Sequence, residues 1–165
     1  MPADRTEARV LAALEARGVP YERVPCLPEL ADTAAFCAHY GYDPARSANA
    51  IVVATRKEPR RFAVCLVLAT TRLDVNRAVR RELGGGRCSF ASAADMHEVT
   101  GMEVGGVTPF GLPPDLPILI DAAVMAPERV IVGTGGRTSK ILVPPSALAA
   151  LPGARVVADL ATAGA

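Results

Sequence analysis

The densest chemical potential in the chain lies in Gly101-Met-Glu-Val-Gly-Gly-Val-Thr-Pro-Phe-Gly-Leu-Pro113, where four glycines, two prolines and a threonine fall within thirteen residues. The adjacent Gly105 and Gly106 permit positive φ and let backbone N–H groups approach a ligand closely. Pro109 stiffens the chain after Thr108. A loop of this kind can hold an acyl carbonyl or a phosphate through backbone donors, as an oxyanion site does. The same composition suits a structural turn at a sheet corner, and the residues alone leave both readings open.

Gly133-Thr-Gly-Gly-Arg-Thr-Ser-Lys140 is a second glycine-rich stretch. It carries neither GxxxxGK[ST] nor GxGxxG, so it is no nucleotide fingerprint. Arg137 and Lys140 suit phosphate or a carboxylate, and a plain hairpin with solvated charges is the competing reading. Cys37 and His39 stand two apart on a predicted helix and do not share a face, which argues against a nucleophile pair or a metal site. The acidic residues form no metal-ligand cluster, and no GxSxG hydrolase motif is present. Asp74, in Arg72-Leu-Asp-Val-Asn-Arg77, reads as a helix cap. Neither a metal nor a cofactor is expected.

The elements that must position these groups follow from periodicity and punctuation. Thr6 to Arg17 places Val10, Leu11 and Leu14 on one helical face, with Thr6 as cap and Gly18 as stop. Tyr21 to Val24 reads as a short strand and Thr33 to Tyr40 as a helix ended by Gly41. Ala50 to Ala54 and Arg61 to Ala69 form a hairpin about a charged turn. Helices are expected over Asp74 to Leu83, Ser92 to Val99 and Pro145 to Ala150. Strands are expected over Leu116 to Ile120, Glu128 to Val132 and Lys140 to Val143. A last strand begins at Val156, and the Ala/Gly tail is expected to fray. Hairpin-linked strands outnumbering helices favour a mixed or antiparallel sheet over a doubly wound parallel one.

At 165 residues, the chain is long enough for one domain with a proper core. Tryptophan is absent and aromatics make up 4%, so Ala, Val and Leu must fill that core. The net charge of +1 gives no strong electrostatic argument for nucleic acid. Sixteen Arg stand against two Lys, Lys57 and Lys140; Arg suits phosphate contacts, and coding bias yields the same excess. None of the four cysteines forms a CxxC pair, and Cys65 sits in an apolar run as a small buried hydrophobe. There is no signal-peptide pattern and no apolar stretch of membrane-spanning length. The expectation is a cytoplasmic protein with reduced thiols and no membrane partner.

The order of segments resembles the YbaK/EbsC family, which includes stand-alone tRNA-editing proteins and the editing insertion of bacterial prolyl-tRNA synthetase. Thr100-Gly-Met-Glu-Val-Gly-Gly-Val-Thr-Pro-Phe-Gly111 is close to that family's TG-x-x-x-GG-[VI]-[ST]-PFG. Pro117-Ile-Leu-Ile-Asp121 follows, then Gly135-Gly-Arg137 with Lys140-Ile-Leu-Val, the Pro145 to Leu151 helix, and Ala154 to Leu160. The resemblance implies one editing domain over 1–165 with its core at about 47–160. It implies an α+β fold in which a mixed sheet curls into a partly open β-barrel-like form with surrounding helices. The implied activity is hydrolysis, without a metal, of the ester joining a small mischarged amino acid to the 3′ end of tRNA, the second sieve of double-sieve editing. The implied partners are that aminoacyl-tRNA end, or a small amino-acid-like ligand, and an aminoacyl-tRNA synthetase. By the same resemblance Asn49, Gly105, Gly106 and Thr108 would be the catalytic positions. Val107, Pro109, Phe110, Asp121, Gly135, Arg137 and Lys140 would bind substrate, with Arg137 and Lys140 at the pocket rim.

One departure matters. Where the family's first strand carries a lysine, this chain has Asn49, in Ala48-Asn-Ala-Ile-Val52. Asn can hydrogen-bond a phosphate or hydroxyl but brings no charge, and charge-assisted bonds are about twice as strong as neutral ones. Two functions therefore compete: a deacylase, and a binding module of the same fold that holds an amino acid, nucleotide or tRNA end without hydrolysis.

Overall fold

The computed structural model describes residues 2–103 and 105–164; Val104 of the glycine-rich signature, Met1 and Ala165 lie outside the described residues. The β-branched run in the first half makes the central hairpin. Strand β2 (Ala48–Thr55) pairs antiparallel with β3 (Phe62–Leu68), in the register Asn49↔Val67 and Val53↔Ala63. On its other side β3 pairs parallel with β6 (Ile118–Asp121), and β6 pairs parallel with β9 (Ala154–Val157). The short β5 (Cys88–Phe90) joins the outer edge of β2 through Val53↔Phe90 and Thr55↔Cys88. The result is a mixed five-stranded sheet in the order β5-β2-β3-β6-β9.

A smaller antiparallel sheet has the order β1-β8-β7, from β1 (Glu22–Pro25), β7 (Val130–Gly133) and β8 (Ser139–Val143). An isolated bridge, Ser47↔Ile131, ties its edge to the start of β2. The sheets do not close into a barrel, in keeping with the expected partly open, barrel-like α+β fold.

Period-two alternation sorts the side chains into layers. Val52, Val64, Leu66, Ile118 and Ile120 face the small sheet, meeting Val130, Val132, Ile141 and Val143 together with Phe110, Met102 and Val10 and Leu14 of helix α1 (Pro2–Ala16). Val53, Ala63, Cys65, Val67 and Leu119 face the opposite way, onto Ala78, Val79 and Leu83. The outer face of the small sheet, Ile131 and Leu142, is covered by Phe36 and Cys37 of helix α2 (Thr33–Tyr40). Cys65 is fully buried, and burial pushes its thiol up to about 12.

Several local expectations shift. Helix α1 begins at Pro2, a residue suited to the first turn of a helix, so Thr6 lies inside it and not at its start; its hydroxyl donates to the Gly101 carbonyl at 3.4 Å. The stretch 74–83 is divided: a π-helical turn (Val75–Val79), closed by Val79 N–H to Asp74 O, leads into α3 (Arg80–Glu82). Asp74 caps it as expected, accepting from Arg77 N at 3.2 Å. The tail does not fray through Ala163, because β10 (Ala161–Ala163) pairs with β4 (Thr71–Leu73). Helices α4 (Ala93–Thr100) and α5 (Pro145–Ala149) stand where periodicity places them.

Candidate functional site

The glycines of the two rich loops are required by each other. A Cβ on Gly106 would run into the Gly136 backbone, and one on Gly133 into the Gly106 carbonyl. The loops touch backbone to backbone and are clamped by Glu103 N–H to Gly135 O at 3.0 Å and Gly135 N–H to Gly106 O at 2.6 Å. Gly106, Gly133 and Gly136 are thus structural, and the flank they fix, Gly105 and Val107, forms the wall of a cavity.

That cavity, of about 390 Å³, opens between this wall, the first half of β2 and the start of α2. Asn49, Ala48, Ala50 and Ile51 come from β2, where β5 does not extend to cover the edge. Asp32, Thr33 and Ala34 come from the start of α2. Asp32 stands at the cap position of α2 yet makes no capping bond. Its carboxylate pairs with Arg137 Nη1 at 3.1 Å, and Arg137 Nε also donates to Pro28 O. Thr33 Oγ1 donates to Asn49 Oδ1 at 2.5 Å, which leaves the Asn49 amide nitrogen, a donor, outside that bond.

Lys140 is the largest difference from expectation. Read as a rim charge, it is 5% exposed and lines the cavity from β8. Its Nζ donates to Gly105 O at 3.3 Å and lies 5.5 Å from the Phe36 ring centroid, within cation–π range. Among the described residues no carboxylate comes within ion-pair distance of it. Burial, the dominant influence, pushes its ammonium below the ordinary lysine value of 10.5, against the weaker pull of the nearby Cys26 and Cys37. A desolvated, incompletely satisfied ammonium is costly to keep and strengthens any interaction with developing negative charge.

The structure therefore gathers Asn49, Gly105, Val107 and Lys140 at one cavity, with Arg137 at its margin through Asp32. Gly106, Thr108, Phe110 and Gly135 are buried behind the wall. Thr108 Oγ1 has no hydrogen-bond partner there, although Thr108 N–H reaches Met102 Sδ at 3.4 Å. Pro109 faces a different depression, beside Arg17 and Leu112. Asp121 holds the far side of the sheet, accepting from Leu160 N at 3.0 Å. Asp32, Thr33 and Ile51 were missed from sequence: an Asp-Thr pair before a helix announces a cap, and only the fold shows that both side chains turn away from that task.

With this geometry in view, comparisons place the chain among known proteins. The model of the aminoacyl-tRNA editing domain family matches residues 28–151. An uncharacterized protein of Bacillus subtilis, YwhH, is 29% identical over 97 residues, 59% of this chain; the match spans 62% of that relative's length. The crystal structure of a hypothetical protein superposes with a TM-score of 0.82 at 25% identity, covering 93% of this chain and 99% of the other. A candidate trans-editing enzyme for prolyl tRNA synthetase superposes with a TM-score of 0.80 at 27% identity, covering 96% and 98%. No helix among the described residues is long and apolar enough to cross a membrane.

Proposed function

The chain belongs to the aminoacyl-tRNA editing domain family, and from that premise we propose that its cavity hydrolyses the ester of a tRNA mischarged with a small amino acid. The observation that carries this reading is the pairing of the Asn49 amide with the buried Lys140 ammonium in one small cavity. Its apolar lining is aliphatic, drawn from Ala34, Ala48, Ala50, Ile51 and Val107, and its volume is at the low end for ligand pockets. A small aliphatic side chain fits such a lining better than an aromatic one.

In this reading the terminal aminoacyl-adenosine enters between β2 and the start of α2. The Asp32 carboxylate meets the α-ammonium, and the ester carbonyl accepts from Asn49 Nδ2. Water attacks the carbonyl carbon, the oxyanion forms facing Lys140, and the bond to the ribose oxygen breaks as that oxygen takes a proton from the attacking water. The products are the free amino acid and uncharged tRNA. Lys140 supplies from β8 the positive charge that the family's lysine would bring to position 49. The expected thiol-free, metal-free chemistry asks nothing of Cys37 or His39. A cytoplasmic setting, with the tRNA or its synthetase as partner, follows from the same reading.

The test is a panel of tRNAs charged with glycine, alanine, serine, proline and phenylalanine. Rapid release of one small amino acid and sparing of phenylalanine is the expected result. Esters that all survive stoichiometric protein, while the same tRNAs still bind, would leave the binding module as the correct reading.

A further inference from the structure

A second basic feature lies on the same sheet edge and plays no part in the cavity. Where β2 ends, Arg56 N–H donates to Arg87 O at 2.9 Å, which brings these two arginines together across the β2–β5 pair. Arg80, one helical turn after Asn76, joins them, its Nε donating to Gly85 O at 2.6 Å. Arg56, Asn76, Arg80 and Arg87 surround a cavity of about 270 Å³ floored by Cys88. All four are exposed. Among the described residues no carboxylate lies within ion-pair distance of the three arginines, whereas Arg60, Arg81 and Arg155 nearby are each paired. Three unneutralised guanidinium groups round one concavity cost self-repulsion unless an anion is shared between them, and their planar forks suit phosphate.

Between this cluster and the Lys140 cavity stands Phe90, 61% exposed and paired with Val53. An exposed aromatic on a strand is a stacking platform for an unpaired base. The three features lie in line along β2. At 3.3 Å per residue, Phe90 falls about 13 Å from Asn49 and Arg56 about 23 Å from it.

We propose that the β2–β5 edge is an RNA track: a base of the single-stranded 3′ end stacks on Phe90, and backbone phosphates further from the terminus bind Arg56, Arg80 and Arg87. The inference rests on the reading that the cavity receives an aminoacylated tRNA end, and it names the surface that holds the rest of that end. The near-neutral net charge of +1 conceals such a site, because a charge summed over the chain carries nothing of where unpaired cations cluster.

The probe is an uncharged RNA hairpin carrying an acceptor stem and its single-stranded 3′ end, with binding followed by fluorescence anisotropy across a salt titration. Replacing all three arginines (Arg56→Gln, Arg80→Gln, Arg87→Gln) should weaken binding at least about tenfold and reduce the salt slope by about 2, at roughly 0.7 per single-strand phosphate contact. Phe90→Ala should weaken it about tenfold with the slope unchanged, within the range for one stacked base. Arg87→Glu alone serves as a second variant should the triple one misfold. Hydrolysis of 3′-aminoacyl-adenosine, too short to reach the arginines, should be untouched. A triple variant that binds the hairpin with the wild-type slope overturns the track. Arginine-dependent binding with no hydrolysis of any ester upholds the track and sinks the deacylase reading instead.

Discussion

The chain sets its positive charge in two opposite ways along one strand. Beside the start of β2 a single ammonium, that of Lys140 on β8, is 5% exposed; past its end three guanidinium groups, of Arg56, Arg80 and Arg87, stand in solvent. The buried charge is held in a low dielectric, where it acts over a short range and is little screened. The exposed charges act over a longer range and fade with salt. A site that stabilises a transition state needs the first arrangement, and a site that gathers a polyanion needs the second. Desolvation, more than the number of cations, separates what each region can do.

The strongest test of this contrast is Lys140→Met. Loss of a charge-stabilising donor should lower deacylation by about 10²-fold or more, while thermal stability holds or rises because an incompletely paired buried charge is removed. Adding Asn49→Lys to that variant should return at least about tenfold of the rate, since the cavity regains one ammonium; Asn49→Lys alone should not, because two would then compete for it. Initial-rate measurements on the preferred mischarged tRNA decide both. A rate unaffected by Lys140→Met would dissolve the distinction.

Gly106→Ala probes the wall that encloses the buried charge. Its Cβ meets Gly136 backbone, so the two loops must part, at a cost of about 2 kcal/mol and a Tm lower by about 6 °C for a chain of this size. Hydrolysis should fall with it, whereas hairpin binding at the arginines should not.

The pH dependence of stability gives a subtler measure. Burial lowers the Lys140 pKa in the folded state, so between that lowered value and 10.5 the unfolded chain binds the extra proton. Stability contributed at this position therefore rises with pH through that window. Burial raises the pKa of the thiols of Cys26, Cys37, Cys65 and Cys88, which gives the opposite slope. Subtracting the Lys140→Met denaturation curve from that of the wild type isolates the lysine, and the difference should shift in favour of the wild type as the solution becomes alkaline. The smallest effect expected is that of Thr108→Val: removing an unpartnered buried hydroxyl should stabilise by about 1 kcal/mol, read as a small rise in Tm.

Most of the fold was readable because its signals are periodic. Ile51 to Ala54 against Ala63 to Leu68 announces a hairpin, and Gly41 and Ser92 mark helix ends that the structure keeps. Three-residue strands such as Cys88–Phe90 and Ala161–Ala163 carry too few residues for any period, and their pairing is set by distant partners. The cavity was half readable. Motif order points to Asn49, the Gly105 flank and Lys140, but it reads Lys140 as a rim charge, because nothing local reveals that Phe36 and Gly105 close over it. The Asp32–Arg137 pair spans more than a hundred residues and leaves no local trace.

The backbone contact between the two glycine loops also bears on how this protein could be retuned. Gly106, Gly133 and Gly136 are interlocked, so neither loop can drift alone, and the two would have to be inherited or redesigned as one part. The freedom to alter ligand choice then resides in lining side chains outside the two loops: Ala34 at the head of α2, and Ala50 and Ile51 on the part of β2 that β5 leaves uncovered. A library confined to those positions would vary the shape of the cavity while leaving its hinge of glycines intact.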